Sequence, residues 1–342
     1  MTPGVVLIVT CALAVSVLLT GIARKLAIRG GVLDLPNERS SHSSATPRGG
    51  GVSIVVVTTA TAVLLALAGK LQVREFAAYC GGGLIVALTG FADDRRSVAP
   101  VVRLLLHVAA AVWAIVCLGG LPPLQVGSQL IQLGWIGNLL GVLAIVWTLN
   151  LFNFMDGIDG IAASEALFIL CAASFLTLGG GASGTGALAL AFAAACAGFL
   201  WWNWPPARIF MGDVGSGYIG FLIAVLAVGA GRSHPTAIWI WLILGGVFFI
   251  DSTTTLVRRA LRGDRVDVAH RSHAYQWLSR RWRSHLKVTL VVAAINLLWL
   301  LPCAGFAALH PQHASVTVLL AFAPLVVLAL GAGAGRRESV PV

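Results

Sequence analysis

The sequence is poor in charged residues, and its few acids are outnumbered by basic residues. Charged residues make up 11% of its 342 residues and hydrophobic residues 58%, whereas about a quarter of a soluble domain is charged. This composition excludes a water-soluble globular protein, and it excludes a disordered chain, which needs low hydrophobicity. The sequence also lacks the alternation of polar and apolar residues that a transmembrane barrel requires. Because its apolar runs of about 20 residues can cross a bilayer, it predicts an all-α, polytopic integral membrane helical bundle.

The sequence also lacks a Cys-x-x-Cys pair. Its six cysteines all lie within apolar runs, so we interpret them as small residues of membrane helices rather than as disulfides or metal ligands. No basic residue precedes the apolar run in residues 1–21. We therefore expect this stretch to be the first spanning helix and not a cleaved signal.

Hydropathy predicts about eleven spanning helices in a single transmembrane domain that covers residues 1–342. The predicted spans are residues 4–23, 49–69, 76–92, 102–120, 136–152, 161–179, 184–202, 214–231, 235–257, 288–309 and 315–334. With the N-terminus outside and the C-terminus cytoplasmic, 20 of the 23 basic residues lie on the cytoplasmic side, which sets the orientation. Topology and contact with the lipid bilayer therefore explain the basic excess, and no nucleic acid is expected as a partner.

The acids lie on the same side, although acids contribute little to orientation. Only Glu75, among the 13 acids, falls in a predicted outside loop. We therefore expect the cytoplasmic face to carry the chemistry. The loops expected to form the active site are residues 24–48, 93–101, 153–160, 203–213 and 258–287.

The first of these loops contains His42 and then a proline, Arg48 and three glycines in residues 46–51. Glycines that open a helix expose backbone N–H groups at its positive end, which suits a phosphate headgroup. The alternative is an ordinary helix-entry loop whose arginines only set the topology.

Two adjacent carboxylates, Asp93 and Asp94, end the third predicted span. Their mutual repulsion would be relieved by a divalent cation or by a shared proton. The alternative is a pair of solvated acids that are neutralised by Arg95 and Arg96.

Four polar residues follow one another at a spacing of three: Asn150, Asn153, Asp156 and Asp159. If the helix continues through them, they occupy neighbouring positions on one face. Oxygen ligands without histidine or cysteine favour a hard cation such as Mg²⁺ over zinc. The alternative is an incidental polar patch at the end of a membrane helix.

A fourth segment, residues 202–216, is a short loop that ends in Asp213, an acid flanked by glycines at a helix start. Asp213 could bind a ligand or could be a plain N-cap. Phe210 in the same loop could stack on a base or lie in the membrane interface.

The fifth segment, residues 258–287, contains nine basic residues together with His270 and His273. This composition suits the binding of a nucleotide diphosphate, although a positive loop that lies on lipid is the alternative. The other histidines, including His285, have no companions at a recognisable spacing, and we interpret them as structural.

Together the five segments resemble the polyprenyl-phosphate N-acetylhexosamine-1-phosphate transferases (glycosyltransferase family 4), which include the phospho-MurNAc-pentapeptide translocases. The motifs occur in the order typical of the family and extend from residue 34 to residue 276. The matching residues are Asp34, Pro36, Asn37, His42, Pro47, Gly49, Gly50, Asp93, Asp94, Asn150, Asn153, Asp156, Asp159, Asn203, Pro206, Ala207, Phe210, Met211, Gly212, Asp213, Gly215, Ser216, His270 and His273.

The resemblance implies transfer of a sugar-1-phosphate from a UDP-N-acetylhexosamine to undecaprenyl phosphate, with release of UMP and a requirement for Mg²⁺ (alternatively Mn²⁺). It implies a multi-pass protein of the bacterial inner membrane with its active site on the cytoplasmic face, and it leaves a homodimer open. The roles that it implies are Asp213 and Asn153 for the metal; Asp93, Asp94, Asp156 and Asp159 for catalysis; Asn203, Phe210, His270, Arg271 and His273 for the nucleotide sugar; and His42 and Arg48 for the lipid phosphate.

One departure bears on the substrate. The peptidoglycan branch carries three consecutive histidines in the last large loop, whereas this chain has His270 and His273 separated by two residues. It therefore resembles the branch that begins O-antigen or other surface polysaccharides with GlcNAc, FucNAc or QuiNAc.

The alternative activities are a phospho-MurNAc-pentapeptide transferase and, in a different class, a membrane transporter or flippase. Transporters place ionisable residues near the bilayer midplane, whereas here only Glu165 and Asp251 fall within predicted spans. A CDP-alcohol phosphotransferase would need an arginine soon after its Asp-Gly pair, but the first arginine after Asp156 is Arg208.

Overall fold

The computed structural model describes residues 1–34, 45–265 and 270–337. This part of the chain is a bundle of helices with two short antiparallel hairpins. The helices are α1 (Pro3–Arg29), α2 (Val52–Leu67), α3 (Val73–Asp93), α4 (Pro100–Leu118), α5 (Gly134–Met155), α6 (Ile161–Thr177), α7 (Gly184–Asn203), α8 (Asp213–Ala230), α9 (Ala237–Leu244), α10 (Gly246–Leu261), α11 (Ala274–Trp282), α12 (His285–Leu309) and α13 (Ala314–Ala332). The hairpins pair β1 (Leu33–Asp34) with β2 (Thr46–Pro47) and β3 (Leu124–Val126) with β4 (Gln129–Ile131).

The prediction of an all-α polytopic membrane protein is confirmed. Among the described residues, eight helices are long and apolar enough to cross a membrane, and the pair α9 and α10, bent by 73°, gives a ninth. Helices α2 and α6 are shorter apolar helices. These segments correspond one for one to the predicted spans, although hydropathy does not indicate that the ninth span is broken.

Two helix boundaries differ from the prediction in ways that affect the site. Helix α1 continues to Arg29 because the long aliphatic stems of its basic residues tolerate the membrane interface. Helix α5 continues to Met155 and therefore carries Asn150 and Asn153, but it ends there with Asp156 as its C-cap. The expectation that Asp156 and Asp159 share a helix face with the two asparagines is therefore wrong.

Helices α7 and α8 form the centre of the bundle and are its most buried spans. Glycines allow their neighbours to approach closely, as is typical of membrane helix interfaces. A Cβ atom on Gly198 of α7 would lie 2.7 Å from the carbonyl oxygen of Leu13, and one on Gly220 of α8 would lie 2.5 Å from that of Thr148. The central helices are thus fixed against α1 and α5.

The polar loops lie together at one end of the bundle, which we call the loop end. It consists of the described parts of residues 30–51, 94–99, 156–160, 204–212 and 262–284. At the opposite end, the hydroxyl of Thr185 donates to Glu75 over 3.0 Å, and Arg232 donates to the carbonyl of Gly120 over 3.2 Å. Polar contacts are therefore present at both ends of the bundle, as a multi-pass topology requires.

Candidate active site

The carboxylate of Asp94 caps the N-terminus of α8. It accepts the backbone N–H groups of Asp213 and Val214 over 2.9 and 3.1 Å, where the helix dipole favours a negative charge. Glycines make this approach possible. A Cβ on Gly90 would lie 2.4 Å from the carbonyl oxygen of Asp213, and one on Gly212, whose φ is +79°, would lie 2.5 Å from the Asp94 carboxylate.

Two arginines join three carboxylates into one group, which we call the carboxylate cluster (Asp93, Asp94 and Asp213). Arg48 contacts Asp94 over 2.9 Å and Asp213 over 2.7 Å. Arg103 contacts Asp93 over 2.5 Å and Asp213 over 3.5 Å. Asp213 and the Asp93–Asp94 pair therefore lie together, although they are about 120 residues apart in the sequence.

Arg103 was not identified from the sequence. It lies on the first turn of α4, ten residues after Asp93. A single arginine near the end of a membrane helix is normally interpreted as a topology signal. Arg48, which the resemblance assigns to the lipid phosphate, contacts carboxylates here. Its burial lowers its pKa, but the charges of Asp94 and Asp213 outweigh that effect, so the pKa of Arg48 is raised.

Asn153 and Asp156 lie next to this cluster. The Asn153 side-chain amide donates to the hydroxyl of Ser216, on the first turn of α8, over 3.2 Å. Desolvation raises the pKa of Asp156 well above its usual value, and the nearby charge of Asp213 raises it further. The end of α5 therefore brings an amide and a fourth carboxyl group to the N-terminus of α8.

Asp159 is directed toward a different set of partners. Its carboxylate accepts the N–H of Ala207 over 3.0 Å and lies 3.2 Å from Nδ1 of His285. His285 therefore contacts a candidate site residue, contrary to the expectation that it has no functional companion. Asp159 and His285 line a polar pocket of about 560 Å³, together with Arg280 and Arg283.

Asn203 joins two loops. Its Oδ1 accepts the N–H of Gly160 over 2.9 Å, and its Nδ2 donates to the carbonyl of Ile209 over 3.0 Å. The residue is 3% exposed. Its observed partners are thus all within the protein, and its contact with the nucleotide sugar stays a prediction.

The glycine run after Arg48 packs against the loop before α8. The N–H groups of Gly50 and Gly51 donate to the carbonyls of Phe210 and Met211, each over 2.9 Å. A Cβ on Gly51 would lie 2.4 Å from Cα of Gly215. The expectation that these two N–H groups are exposed for a phosphate is therefore wrong, because the backbone of residues 210–211 occupies them.

We call residues 258–287 the basic loop, and its described part lies against the end of α5. The His270 and His273 rings are 5.0 Å apart, and the His273 ring stacks on Phe154 at 6.1 Å. The hydroxyl of Tyr275 donates to the carbonyl of Phe154 over 2.9 Å. This contact needs Gly157, where a Cβ would lie 2.1 Å from that hydroxyl.

Burial lowers the pKa of His270 to about 4, helped by the neighbouring His273 and Arg259. His270 is therefore neutral at pH 7. Arg271 lies next to it, and its carbonyl accepts a hydrogen bond from Arg280 over 2.9 Å. His42 lies outside the described residues.

The sequence model of glycosyl transferase family 4 matches residues 76–231, the segment that carries Asp93, Asp94, Asn153, Asp156 and Asp213. The chain is 31% identical over 290 residues to a probable undecaprenyl-phosphate N-acetylglucosaminyl 1-phosphate transferase of Bacillus subtilis, covering 82% of this chain and 79% of that protein.

Two further relatives have related names. The chain is 31% identical to a decaprenyl-phosphate N-acetylglucosaminephosphotransferase of Mycolicibacterium smegmatis, covering 80% of this chain and 75% of that protein. It is also 31% identical to a phospho-N-acetylmuramoyl-pentapeptide-transferase of Moorella thermoacetica, covering 63% of this chain and 69% of that protein. Since the similarity extends over most of the chain and includes the carboxylate cluster, the protein belongs to glycosyl transferase family 4.

Proposed function

We propose that this protein transfers a sugar-1-phosphate from a UDP-N-acetylhexosamine of the GlcNAc, FucNAc or QuiNAc type to undecaprenyl phosphate and releases UMP. The observation that carries the proposal is the carboxylate cluster, which Arg48 and Arg103 join at one end of an apolar bundle. The N-acetylglucosamine phosphate transferases among the relatives support the class of substrate.

The geometry suits a reaction between a lipid and a soluble nucleotide. A phosphate that attacks a diphosphate brings anions together, so the site must neutralise charge and align the reactants. The loop end supplies cationic side chains next to carboxylates, and the apolar helices below it are in contact with the lipid reactant. We place the loop end on the cytoplasmic side of the bacterial inner membrane, because this orientation puts 20 of the 23 basic residues inside.

The donor atoms of the site fit Mg²⁺, with Mn²⁺ as the alternative. Among the described residues, no three His, Cys, Asp or Glu side chains converge into a metal site on their own. Mg²⁺ in phosphate-transfer sites takes one or two protein carboxylates and completes its shell with water and substrate phosphates. Asp213 and Asn153 would hold the ion, which when bound neutralises charge on the diphosphate.

The protein side chains have separable roles in this proposal. Both oxygens of Asp94 are engaged by α8 and Arg48, so Asp94 fixes the position of Asp213. Asp93, held by Arg103 and by the N–H of Val98 over 2.6 Å, serves the lipid phosphate. The residues of the basic loop bind the sugar-phosphate.

A transfer assay with purified protein tests the proposal. Undecaprenyl phosphate is incubated with a panel of UDP-sugars labelled in the sugar, and both UMP release and label in the lipid phase are measured. We expect transfer from at least one UDP-N-acetylhexosamine, dependent on the lipid phosphate. Transfer from UDP-MurNAc-pentapeptide alone would favour the peptidoglycan reaction of the Moorella relative, and no transfer from any donor would contradict the proposal.

A further inference from the structure

A buried acid on α10 holds the start of α11, the helix that follows the two histidines. Asp251 is 5% exposed. Its Oδ1 accepts the N–H of Ala274 over 2.8 Å, and its Oδ2 accepts the N–H of Tyr275 over 3.0 Å. The first N–H groups of a helix have no partner within the helix. Asp251 thus caps α11 from a neighbouring helix, with its charge at the positive end of the dipole.

The same carboxylate lies beside His273. Nδ1 of His273 is 3.5 Å from Oδ1 of Asp251. The faces of the ring are bounded by Phe154 at 6.1 Å and Tyr275 at 5.9 Å. The ring is therefore held between the end of α5 and the start of α11 that Asp251 caps.

The capped end of α11 also reaches the loop that carries Asp156. Tyr275, whose N–H is held by Asp251, donates its hydroxyl to the carbonyl of Phe154, two residues before Asp156. Asp251 is therefore connected through Tyr275 to the loop that carries Asp156. Asp251 belongs to a span, and no sequence motif connects it with the site.

We propose that Asp251 is a positioning residue for nucleotide-sugar binding: it fixes the start of α11 and thereby orients His273 toward the sugar-phosphate. This inference rests on the proposed function, which assigns the sugar-phosphate to the basic loop. Asp251 itself does not contact the substrate, because both of its oxygens are engaged within the protein.

The test is a double-mutant cycle with Asp251→Asn, His273→Ala and the combination of the two. The amide at position 251 keeps one acceptor, but its NH₂ group faces a backbone N–H that needs an acceptor. We expect Asp251→Asn to raise KM for the UDP-sugar roughly tenfold or more, as for a lost hydrogen bond to a charged group, with a smaller effect on kcat. The double variant should be no worse than His273→Ala alone, because coupled residues are not additive.

A matched control is available in Glu165→Gln. Glu165 is a second buried acid within a span, is 0% exposed, and accepts a hydrogen bond from Asn296 of α12 over 2.5 Å. We expect this variant to keep the wild-type KM even if it is less stable. Effects of Asp251→Asn and His273→Ala that add, or an unchanged KM in folded Asp251→Asn, would overturn the inference.

Two further measurements cover the remaining outcomes. If Asp251→Asn does not fold, Thr255→Val is the substitute, because it removes the hydroxyl that donates to Asp251 over 3.2 Å. This variant should raise KM for the UDP-sugar roughly threefold. An unchanged KM would then contradict the inference. Calorimetric binding of the UDP-sugar repeats the cycle without turnover. A wild type that binds but does not transfer would contradict the proposed function alone, whereas additive losses of binding would contradict the role of Asp251 alone.

Discussion

At the scale of single residues, Asp213 is the carboxylate that both arginines share. It contacts Arg48 over 2.7 Å and Arg103 over 3.5 Å, and it is the first residue of α8. Asp93 and Asp94 each contact one arginine, so Asp213 is the carboxylate that connects the two arginines.

We expect Asp213→Asn to lower kcat for UMP release by about a hundredfold or more, since such losses follow the removal of a charge-stabilising group. The amide keeps the size of the side chain and can still accept from Arg48, so the fold should persist. UMP release and size-exclusion chromatography measure the two effects. Glu75→Gln is the matched control, an acid at the opposite end of the bundle that accepts a hydrogen bond from Thr185 over 3.0 Å; equal losses in both variants would remove Asp213 from the mechanism.

His270 allows a prediction about pH at the same scale. Burial lowers its pKa in the folded protein to about 4, from an ordinary value of 6.5. The folded state therefore binds fewer protons than the unfolded state between these values. The stability that His270 contributes is fully present above pH 6.5 and is lost as the pH falls toward 4.

The measurement is the melting temperature of the purified protein at pH 7.5 and pH 5. His270→Gln should show a smaller decrease between the two pH values than the wild type, because a neutral amide does not titrate. A decrease of equal size in both proteins would show that His270 does not contribute to the pH dependence.

At the scale of elements, the contact between α3 and α8 brings the carboxylates together. Gly90 of α3 lies against the backbone of Asp213, where a Cβ would meet the carbonyl oxygen at 2.4 Å. Backbone atoms cannot move aside as the end of a flexible side chain can, so the first turn of α8 would have to shift.

We expect Gly90→Ala to lower both the melting temperature and UMP release, since overpacking typically costs about 1–3 kcal/mol. Gly305→Ala on α12 is the control, because beyond the backbone of its own helix no atom of the described residues lies within 4 Å of its Cβ position. Alanine is the better helix former by about 1 kcal/mol, so this control should be neutral or stabilising. Two variants with the same effect would show that the contact at Gly90 is unimportant.

The elements also show which features of the fold and the site can be predicted from the sequence. Apolar length predicts the spans, and motif residues such as Asp93 and Asp213 are visible because their neighbours in sequence are unusual. The sequence does not identify three residues of the site region, because their partners lie far away in the sequence and nothing local distinguishes them. These are Arg103, Asp251 and His285, whose partners lie ten, 23 and 126 residues away. The end of α5 at Met155 was not predicted, because the polar residues continue past it at a spacing of three, whereas the helix does not.

At the scale of the whole molecule, the carboxylate cluster lies at the loop end together with His270, His273 and the described part of the basic loop. A reaction that uses a soluble nucleotide sugar requires this end to face the compartment where such donors are made. The predicted orientation puts 20 of the 23 basic residues on the side of the loop end, which predicts that this compartment is the cytoplasm. The orientation of the bundle therefore decides whether the site can receive its substrate.

Two exposed serines at opposite ends report the orientation. Ser97 lies between α3 and α4 at the loop end, and Ser128 lies in the turn between β3 and β4. In intact spheroplasts, a membrane-impermeant maleimide should label Ser128→Cys, and it should label Ser97→Cys only after the membrane is permeabilised. The wild type is the control, because its six cysteines lie in apolar segments. Labelling of Ser97→Cys in intact cells would place the carboxylate cluster outside, where neither the proposed donor nor the predicted charge asymmetry could account for it.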